Sequence, residues 1–226
     1  MSSSTRYYQP PPSSVSGTTS TTEGDVAQLT YDPIDEAQVL KAVRDPGAGA
    51  TCLFVGTTRD NFQGRGVSRL EYEAYTALAI KTLHDILLRA RASPPPSISS
   101  ITDPSAKAAC CDPSKSTPDA GIMRLHIVHR LGVVPVSEPS IAIACSSPHR
   151  REAFAVAEWA LEEVKRLVQI WKREVYSDGS VAVARDGEAA SKTTEGTSNG
   201  EHSSTDQKIR TGTSTDAGVW KANFPA

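Results

Sequence analysis

The chain has 226 residues and a formal net charge of −2 at neutral pH. A dedicated nucleic-acid-binding domain usually carries a basic excess, so this charge argues against nucleic acid as a partner. No apolar run approaches the roughly 18 residues needed to span a bilayer, and the amino terminus lacks the features of a secretory signal or a transit peptide. The four cysteines show no C-x-x-C spacing. We therefore expect a reduced, cytosolic protein without membrane attachment.

Three segments are rich in Ser, Thr, Pro, Gly and Asp and have almost no apolar periodicity: residues 1–25, about 94–120 and about 186–217. Segments of this composition cannot bury enough apolar surface to offset the entropy lost on ordering. We therefore predict a disordered tail over 1–25 and two low-complexity insertions. The remainder of 26–226 has the size of a single domain.

The first predicted element is a helix that begins with Asp32 as its cap, because a proline and two acidic residues follow. An apolar, β-rich run at 49–56 predicts a buried strand. Residues 70–75 alternate with a period of two, as a half-exposed antiparallel strand does. Residues 77–92 predict an amphipathic helix, which a run of three prolines ends.

After the first insertion, residues 123–132 alternate again, and residues 140–146 predict a second buried strand. A long helix follows over about 150–168, and residues 171–176 predict a short strand. We expect the segment 219–225 to return and pack through its tryptophan and phenylalanine. This order of elements, with strand pairs joined by short links, predicts an α+β sandwich with a mostly antiparallel sheet.

Positive charge is concentrated between residues 146 and 176 of this slightly acidic chain. Lys165 and Lys172 are seven residues apart, so a continuous helix would place them on one face, where glutamates at helical spacing favour a salt-bridged solvent surface. Lys172, however, lies between apolar residues. A lysine that is partly desolvated near other cations has a lowered pKa and can act as a nucleophile or base. Both interpretations are open at this point.

Two further candidates follow predicted strands. His149 and Arg150 come at a strand-to-helix turn, where free backbone N–H groups and the helix dipole favour an anion. Simple capping by the preceding serines is the alternative. Arg59 follows the strand at 49–56, a usual place for site residues in layered folds, although a loop arginine is often only solvated.

Metal and nucleotide chemistry find no support in the sequence. His126 and His129 lie three apart in a predicted strand, on opposite faces, so they do not form a metal site. Phosphate-loop, dinucleotide, zinc-protease and serine-hydrolase motifs are missing. We therefore expect no cofactor and no metal.

Five short motifs stand out in chain order. They are FVGTTRDN at 54–61, LEYEAY at 70–75, HRLGVVPVSE at 129–138, SSPHR at 146–150 and IWKRE at 170–174. Together they resemble the large, catalytic subunit of molybdopterin synthase, in order and over most of the chain outside the first insertion. The resemblance implies an α/β-hammerhead-type fold. It also implies a homodimer of large subunits, with a small ubiquitin-like subunit at each end, as a heterotetramer.

The resemblance implies a sulfurtransferase of molybdenum cofactor biosynthesis. The small subunit would be a sulfur carrier with a thiocarboxylate on its carboxyl-terminal Gly-Gly, and two sulfurs would pass to cyclic pyranopterin monophosphate to form the molybdopterin dithiolene. By the same resemblance, Lys165 and Lys172 are the catalytic pair. The implied substrate-binding residues are Arg59, His149, Arg150, Lys165, Lys172, Arg173 and Glu174.

The chain departs from the pattern of such relatives at two positions. Gln169 stands where they typically have proline, and Pro148 stands where they have alanine. Neither change removes a functional group, but both bear on the geometry of a turn.

Two anions, a cyclic phosphate and a thiocarboxylate, would share such a pocket, which therefore needs several fixed cations. The alternative is a non-catalytic adaptor that binds a ubiquitin-like tail, because the same cations would bind its carboxylate. Retention of both lysines together with Arg59, His149 and Arg150 favours the enzyme. A pterin or nucleotide-monophosphate hydrolase has less support, since neither metal ligands nor a nucleophile triad are evident.

Overall fold

The structure is a computed structural model that describes residues 8–92, 121–182 and 221–222. The two predicted insertions, the packing of Trp220 and Phe224, and residues 1–7 lie outside these ranges. In chain order the elements are β1 (Gly17–Ser20), β2 (Val26–Thr30), α1 (Glu36–Ala42), β3 (Ala50–Thr57), β4 (Asn61–Phe62), β5 (Arg65–Ala74), α2 (Thr76–Ala92), β6 (Arg124–Arg130), β7 (Gly132–Pro135), β8 (Pro139–Ser147), α3 (Arg150–Leu167), β9 (Ile170–Tyr176), β10 (Val181–Ala182) and β11 (Lys221–Ala222).

The first sheet has five strands in the order β1-β2-β6-β8-β3, with helices on both faces. Its neighbouring strands are antiparallel except for β2 and β6. Since side chains alternate along a strand, β8 sends Ile143 to the core beneath α2 and α3, and Ala142 and Ala144 to the smaller core beneath α1. The predicted buried strand at 140–146 is therefore confirmed, and it is buried on both faces.

The second sheet is built on the antiparallel pair β5 and β9. Strands β4 and β7 pair with β5, while β10 and β11 pair with β9. One face of this sheet contributes Tyr72, Ala74 and Ile170 to the same core that α2 and α3 cover. The predicted α+β sandwich with mostly antiparallel sheets is confirmed.

The start of α1 differs from the prediction. The N-cap is Asp35, whose Oδ1 accepts hydrogen bonds from the backbone N–H groups of Ala37 (2.9 Å) and Gln38 (3.1 Å). Ile34, just before the cap, packs in one cluster with Val39, one turn into the helix, as a hydrophobic staple. Asp32 lies too far upstream for its carboxylate to reach those amides, so the prediction of Asp32 as cap was wrong.

The prediction of a disordered tail over 1–25 does not hold for residues 8–25. Strand β1 pairs along its whole length with β2. Ser14 is buried, and its hydroxyl oxygen accepts hydrogen bonds from the backbone N–H of Ala74 (3.0 Å) and the hydroxyl of Tyr31 (2.8 Å). Composition missed this segment because β1 is stabilised by pairing with another strand rather than by apolar side chains of its own.

A buried ion pair lies at the base of the segment between α2 and β6. The carboxylate of Asp25, which is fully buried, accepts from Nε (2.5 Å) and Nη2 (2.8 Å) of Arg91 and from the backbone N–H of Leu125. The same guanidinium donates to the carbonyl oxygens of Ile122 (3.4 Å) and Met123 (3.0 Å). One arginine thus joins the end of α2 to the chain just before β6.

Candidate functional site

A cavity of about 170 Å³ lies where β5 and β9 meet the loop after β3. The register of the two strands explains part of its lining: Leu70 is opposite Glu174, and Tyr72 is opposite Lys172, so these four side chains share one face. The lining residues are Thr57, Arg59, Asn61, Phe62, Val67, Leu70, Tyr72, Lys172 and Glu174. Three predicted site residues, Arg59, Lys172 and Glu174, are therefore brought together.

Lys172 is largely buried in this cavity, with 16% of its side chain exposed. Its Nζ lies 3.9 Å from Oε1 of Glu174, which is also buried. At this distance the contact is an ion pair rather than a close hydrogen bond. The predicted partial desolvation of Lys172 is confirmed, which separates it from an ordinary solvent-facing lysine.

Arg59 is exposed, but the residue before it is fixed. Thr58 is buried, its backbone N–H donates to the carbonyl of Glu138 (3.1 Å), and its own carbonyl accepts from the N–H of Ser137 (2.8 Å). The Thr58 hydroxyl also reaches the carbonyl oxygen of Val134 (3.4 Å). These contacts hold the loop after β3 so that Arg59 lines the cavity instead of extending freely into solvent.

Lys165 lies in the last turn of α3, 46% exposed and 3.5 Å from Glu162, and it is not among the residues that line the cavity. Helix α3 begins just beyond β8 and packs back over β8 and β3 for 18 residues. That length is about 27 Å, close to the length of β3, so Lys165 ends at the same end of the sheet as Arg59.

His149 and Arg150 start α3 and are exposed. His149 is the N-cap residue, in extended conformation, and its side chain makes no cap hydrogen bond. The Ser147 hydroxyl donates to the carbonyl oxygen of His149 instead of capping the helix. Gly49 lies so close to this turn that a Cβ there would be 2.4 Å from the carbonyl oxygen of Pro148. The first sheet thus fixes where α3 begins.

His149 and Arg150 do not share the cavity with Arg59 within one chain. Ala50, at the start of β3, pairs with Ser147, while Thr57, at its end, pairs with Pro139. Seven residue steps of β-strand separate these two ends, a distance of about 23 Å. The resemblance implies one substrate site for all of these cations, and a single chain does not assemble it.

Arg173 lies away from the cavity that its neighbours Lys172 and Glu174 line. It is opposite Glu71 in the β5–β9 pair, and its Nε donates to Oε2 of Glu71 at 2.7 Å. Arg69 Nε donates to the other oxygen of the same carboxylate at 2.8 Å, and Glu71 is completely buried. Because side chains alternate along β9, Arg173 lies on the face opposite to Lys172 and Glu174. Arg173 is therefore not part of the lining of this cavity, and its implied role in substrate binding stays a prediction.

Tyr72 is a cavity residue that the motifs contained but sequence reasoning did not single out. Its ring makes an edge-to-face contact with His129, at a centroid distance of 5.0 Å. His129 is buried, and its Nδ1 lies 2.8 Å from the carbonyl oxygen of Arg130. Burial lowers the pKa of His129 to about 4, so a neutral imidazole supports the wall of the cavity at physiological pH. The alternation in LEYEAY could have indicated this residue, because it places Tyr72 on the same face of the strand as Leu70.

The departure at Gln169 has a structural account. Its side-chain Nε2 donates to the carbonyl oxygen of Leu167 (2.7 Å), and its Oε1 accepts from the hydroxyl of Thr82 on α2 (3.1 Å). Its carbonyl oxygen accepts from the backbone N–H of Tyr75 (3.1 Å). Hydrogen bonds to α2 and to the end of β5 thus fix the turn that leads from α3 into β9.

Within 8–92, 121–182 and 221–222, no group of three or more His, Cys, Asp or Glu side chains is arranged to hold a metal ion. The helices of this part of the chain are also too short or too polar to cross a membrane.

Comparison with known proteins gives consistent matches. The family model described as MoaE protein matches residues 29–167. The molybdopterin synthase catalytic subunit of Aspergillus clavatus is 39% identical over 163 residues, which are 72% of this chain and 69% of the relative. A molybdopterin synthase catalytic subunit of Aedes aegypti is 40% identical over 67% of this chain and 82% of its own length.

Two further matches complete the comparison. The molybdopterin synthase catalytic subunit of Drosophila erecta is 40% identical over 70% of this chain, but the match spans only 36% of that longer relative. Among solved structures, molybdopterin synthase from Staphylococcus aureus superposes with a TM-score of 0.52 at 28% identity, over 73% of this chain and 99% of the other.

Proposed function

Because the chain belongs to the MoaE family of molybdopterin synthase catalytic subunits, we propose that the cavity between β5, β9 and the loop after β3 is its sulfur-transfer site. The observation that carries this proposal is the meeting of Arg59 and Lys172, which are more than a hundred residues apart in sequence, in one cavity. Lys172 is partly desolvated there beside the buried carboxylate of Glu174. A cation in such a setting acts on a bound anion more strongly than one in water.

The proposed substrates are both anions. The guanidinium of Arg59 suits the phosphate of cyclic pyranopterin monophosphate, because its planar fork matches phosphate oxygens. Lys172 orients the substrate and screens its charge against that of the thiocarboxylate. Lys165, at the end of α3, is proposed to bind the thiocarboxylate while its sulfur forms a bond to a substrate carbon. Water then hydrolyses the bond between that sulfur and the carrier's carbonyl carbon, so the carrier leaves as a carboxylate. A general acid or base then moves protons as the cyclic phosphate opens.

We further propose that His149 and Arg150 complete the cavity of a second large subunit. Two observations support this: the separation of about 23 Å within one chain, and the small cavity, since ligand pockets usually measure about 300–1,000 Å³. A homodimer in which the start of one α3 faces the cavity of its partner would supply both the missing cations and the missing wall. This proposal requires a homodimer for activity.

Complementation between two inactive variants tests the shared site. Lys172→Ala and the double variant His149→Ala/Arg150→Ala are each expected to be inactive as homodimers. Mixed dimers contain one intact cavity, so co-expression should restore up to about half of the wild-type activity per mixed dimer. Recovery that stays at the level of the separate variants would contradict the shared site.

The partner is proposed to be a small ubiquitin-like sulfur carrier with a thiocarboxylated Gly-Gly terminus, one at each end of the dimer in a heterotetramer. The test combines the purified chain, the thiocarboxylated carrier and cyclic pyranopterin monophosphate, and measures molybdopterin. Formation of product supports the enzyme. Binding of the carrier without product would favour the alternative, a non-catalytic adaptor.

Lys165→Ala sharpens the assignment of the catalytic pair. We expect dithiolene formation to fall to nearly zero while the complex with the carrier still assembles, because Lys165 is exposed and pairs only loosely with Glu162. Gel filtration of the complex is the control for assembly. Normal sulfur transfer by this variant would contradict a catalytic role for Lys165.

Localisation and domain limits also remain proposals. We propose that the protein acts in the cytosol, which cell fractionation would test. The sequence predicted a domain over 26–226, but β1 belongs to the first sheet. We therefore propose one catalytic domain over 8–226, with insertions at about 94–120 and 186–217. Limited proteolysis should cut within those two segments first and leave the fragments associated; early cutting within β5 or α3 would contradict the proposed limits.

A further inference from the structure

Tyr176 ends β9 on the same face as Lys172 and Glu174, since side chains two residues apart point the same way. It is buried and is not among the residues that line the cavity. Its hydroxyl donates a hydrogen bond to Oε2 of Glu174 at 3.0 Å. Its hydroxyl therefore contacts the site through the glutamate, while its backbone pairs with Val67, another residue of the cavity lining.

The two oxygens of the Glu174 carboxylate have different partners. Oε1 lies 3.9 Å from Nζ of Lys172, and Oε2 accepts from Tyr176. A carboxylate that is 4% exposed and held through one oxygen cannot rotate freely about its last bond. The hydrogen bond from Tyr176 thus determines how the other oxygen faces the lysine.

Tyr176 is in turn held by a cation from the edge of the sheet. The guanidinium carbon of Arg65 lies 3.7 Å from the centroid of the Tyr176 ring. Arg65 is fixed by Asp178 (3.3 Å) and Ser180 (2.5 Å) in the turn after β9. Burial and the neighbouring Glu174 raise the pKa of Tyr176 to about 12, so its hydroxyl keeps its proton and remains a donor throughout the physiological range.

From these contacts, and on the basis of the proposed sulfur-transfer function, we infer that Tyr176 is a positioning residue for the reaction: its hydroxyl orients Glu174, which in turn orients Lys172 in the cavity. Tyr176 does not touch the substrate. The turn after β9 contributes as well, because its Asp178 and Ser180 bind Arg65, which lies over the Tyr176 ring. Loss of the hydroxyl should therefore lower kcat when the Glu174 carboxylate is present and should have little effect when it is absent.

The test is Tyr176→Phe in the assembled complex with the thiocarboxylated carrier. Phenylalanine keeps the ring under Arg65 and removes only the hydroxyl, so the fold should be retained, which thermal unfolding would verify. We expect kcat to fall about tenfold to hundredfold, the range for one hydrogen bond to a charged group. The matched control is Tyr31→Phe, which removes a tyrosine hydroxyl that binds Ser14 away from the cavity and should change kcat less than twofold.

A double-mutant cycle with Glu174→Leu, which removes both acceptor oxygens, distinguishes positioning from packing. If Tyr176 acts through the carboxylate, Tyr176→Phe should change kcat less than about twofold in the Glu174→Leu background. An equal loss in both backgrounds would show a packing role and overturn the inference, and so would unchanged kcat in Tyr176→Phe alone. A wild-type complex that forms no molybdopterin would instead refute the proposed function, and this inference with it.

Discussion

The two faces of β9 carry neighbouring basic residues in opposite settings. Lys172 faces a cavity, and its Nζ lies 3.9 Å from the carboxylate of Glu174, which also accepts a hydrogen bond from Tyr176. Arg173 faces away from the cavity and binds the fully buried Glu71, which also accepts from Arg69. The first arrangement leaves a cation next to space for a ligand, whereas the second uses a cation to neutralise a buried charge. Adjacent residues of one motif thus have separate settings: one lines the cavity proposed as the sulfur-transfer site, and the other neutralises a buried carboxylate.

Among variants on the two faces of β9, the largest effect is expected for Lys172→Ala. Removal of a desolvated cation from the cavity should slow dithiolene formation about a thousandfold, because the charge of two anions is no longer compensated. The measurement is single-turnover formation of molybdopterin. The control, Lys41→Ala on the exposed side of α1, should keep normal turnover. A fall of less than tenfold for Lys172→Ala would place the essential cation elsewhere.

Arg173→Ala should mainly affect stability. It leaves the buried carboxylate of Glu71 with Arg69 as its remaining partner in this ion-pair network, and breaking a buried pair costs about 3 kcal/mol of unfolding free energy. Urea unfolding measures this change, and kcat below the unfolding transition should stay within about threefold of wild type.

The matched control for Arg173→Ala is Arg166→Ala. Arg166 makes a similar pair with Glu163 on α3, but its side chain is 52% exposed, so solvent screens the pair and the expected loss of stability is much smaller than for Arg173→Ala. A large fall in kcat without loss of stability in Arg173→Ala would contradict the separation between the two faces of β9.

The smallest effect concerns Glu73, which shares the Arg173 face. Burial raises its pKa in the folded protein to about 7, well above the usual value for an unfolded chain. Between those two values the folded state binds more protons than the unfolded state, so stability falls as pH rises from about 4.5 to 7. Glu73→Gln should remove that part of the pH dependence, a change below about 1 kcal/mol because the group is partly exposed. Urea unfolding at pH 5 and pH 8 compares the two proteins.

Local sequence patterns predicted most elements because each pattern reports a local property. The apolar run at 49–56 corresponds to β3, but β3 has no buried residue and lies at the edge of the described sheet, so the prediction that this strand is buried was wrong. The alternation at 70–75 corresponds to β5, and the helical spacing at 77–92 and 150–168 corresponds to α2 and α3. Partial burial of Lys172 also followed from its apolar neighbours.

Relations between distant segments could not be predicted in the same way. The opposite placement of His149 and Arg59 depends on the antiparallel pairing of β3 with β8, and the face taken by Arg173 depends on its register against Glu71. Pairing of β1 with β2 likewise ordered residues whose own composition is polar. These features arise from partners far away in sequence, which no local window contains.

The contacts of Arg91 with Asp25, Ile122 and Met123 bear on where the length of this chain can change. The domain itself holds the two ends of the segment between α2 and β6 at fixed positions. Any chain that joins Arg91 to Ile122 therefore begins and ends at positions set by the described core, so a change in its length requires no rearrangement of α2 or β6.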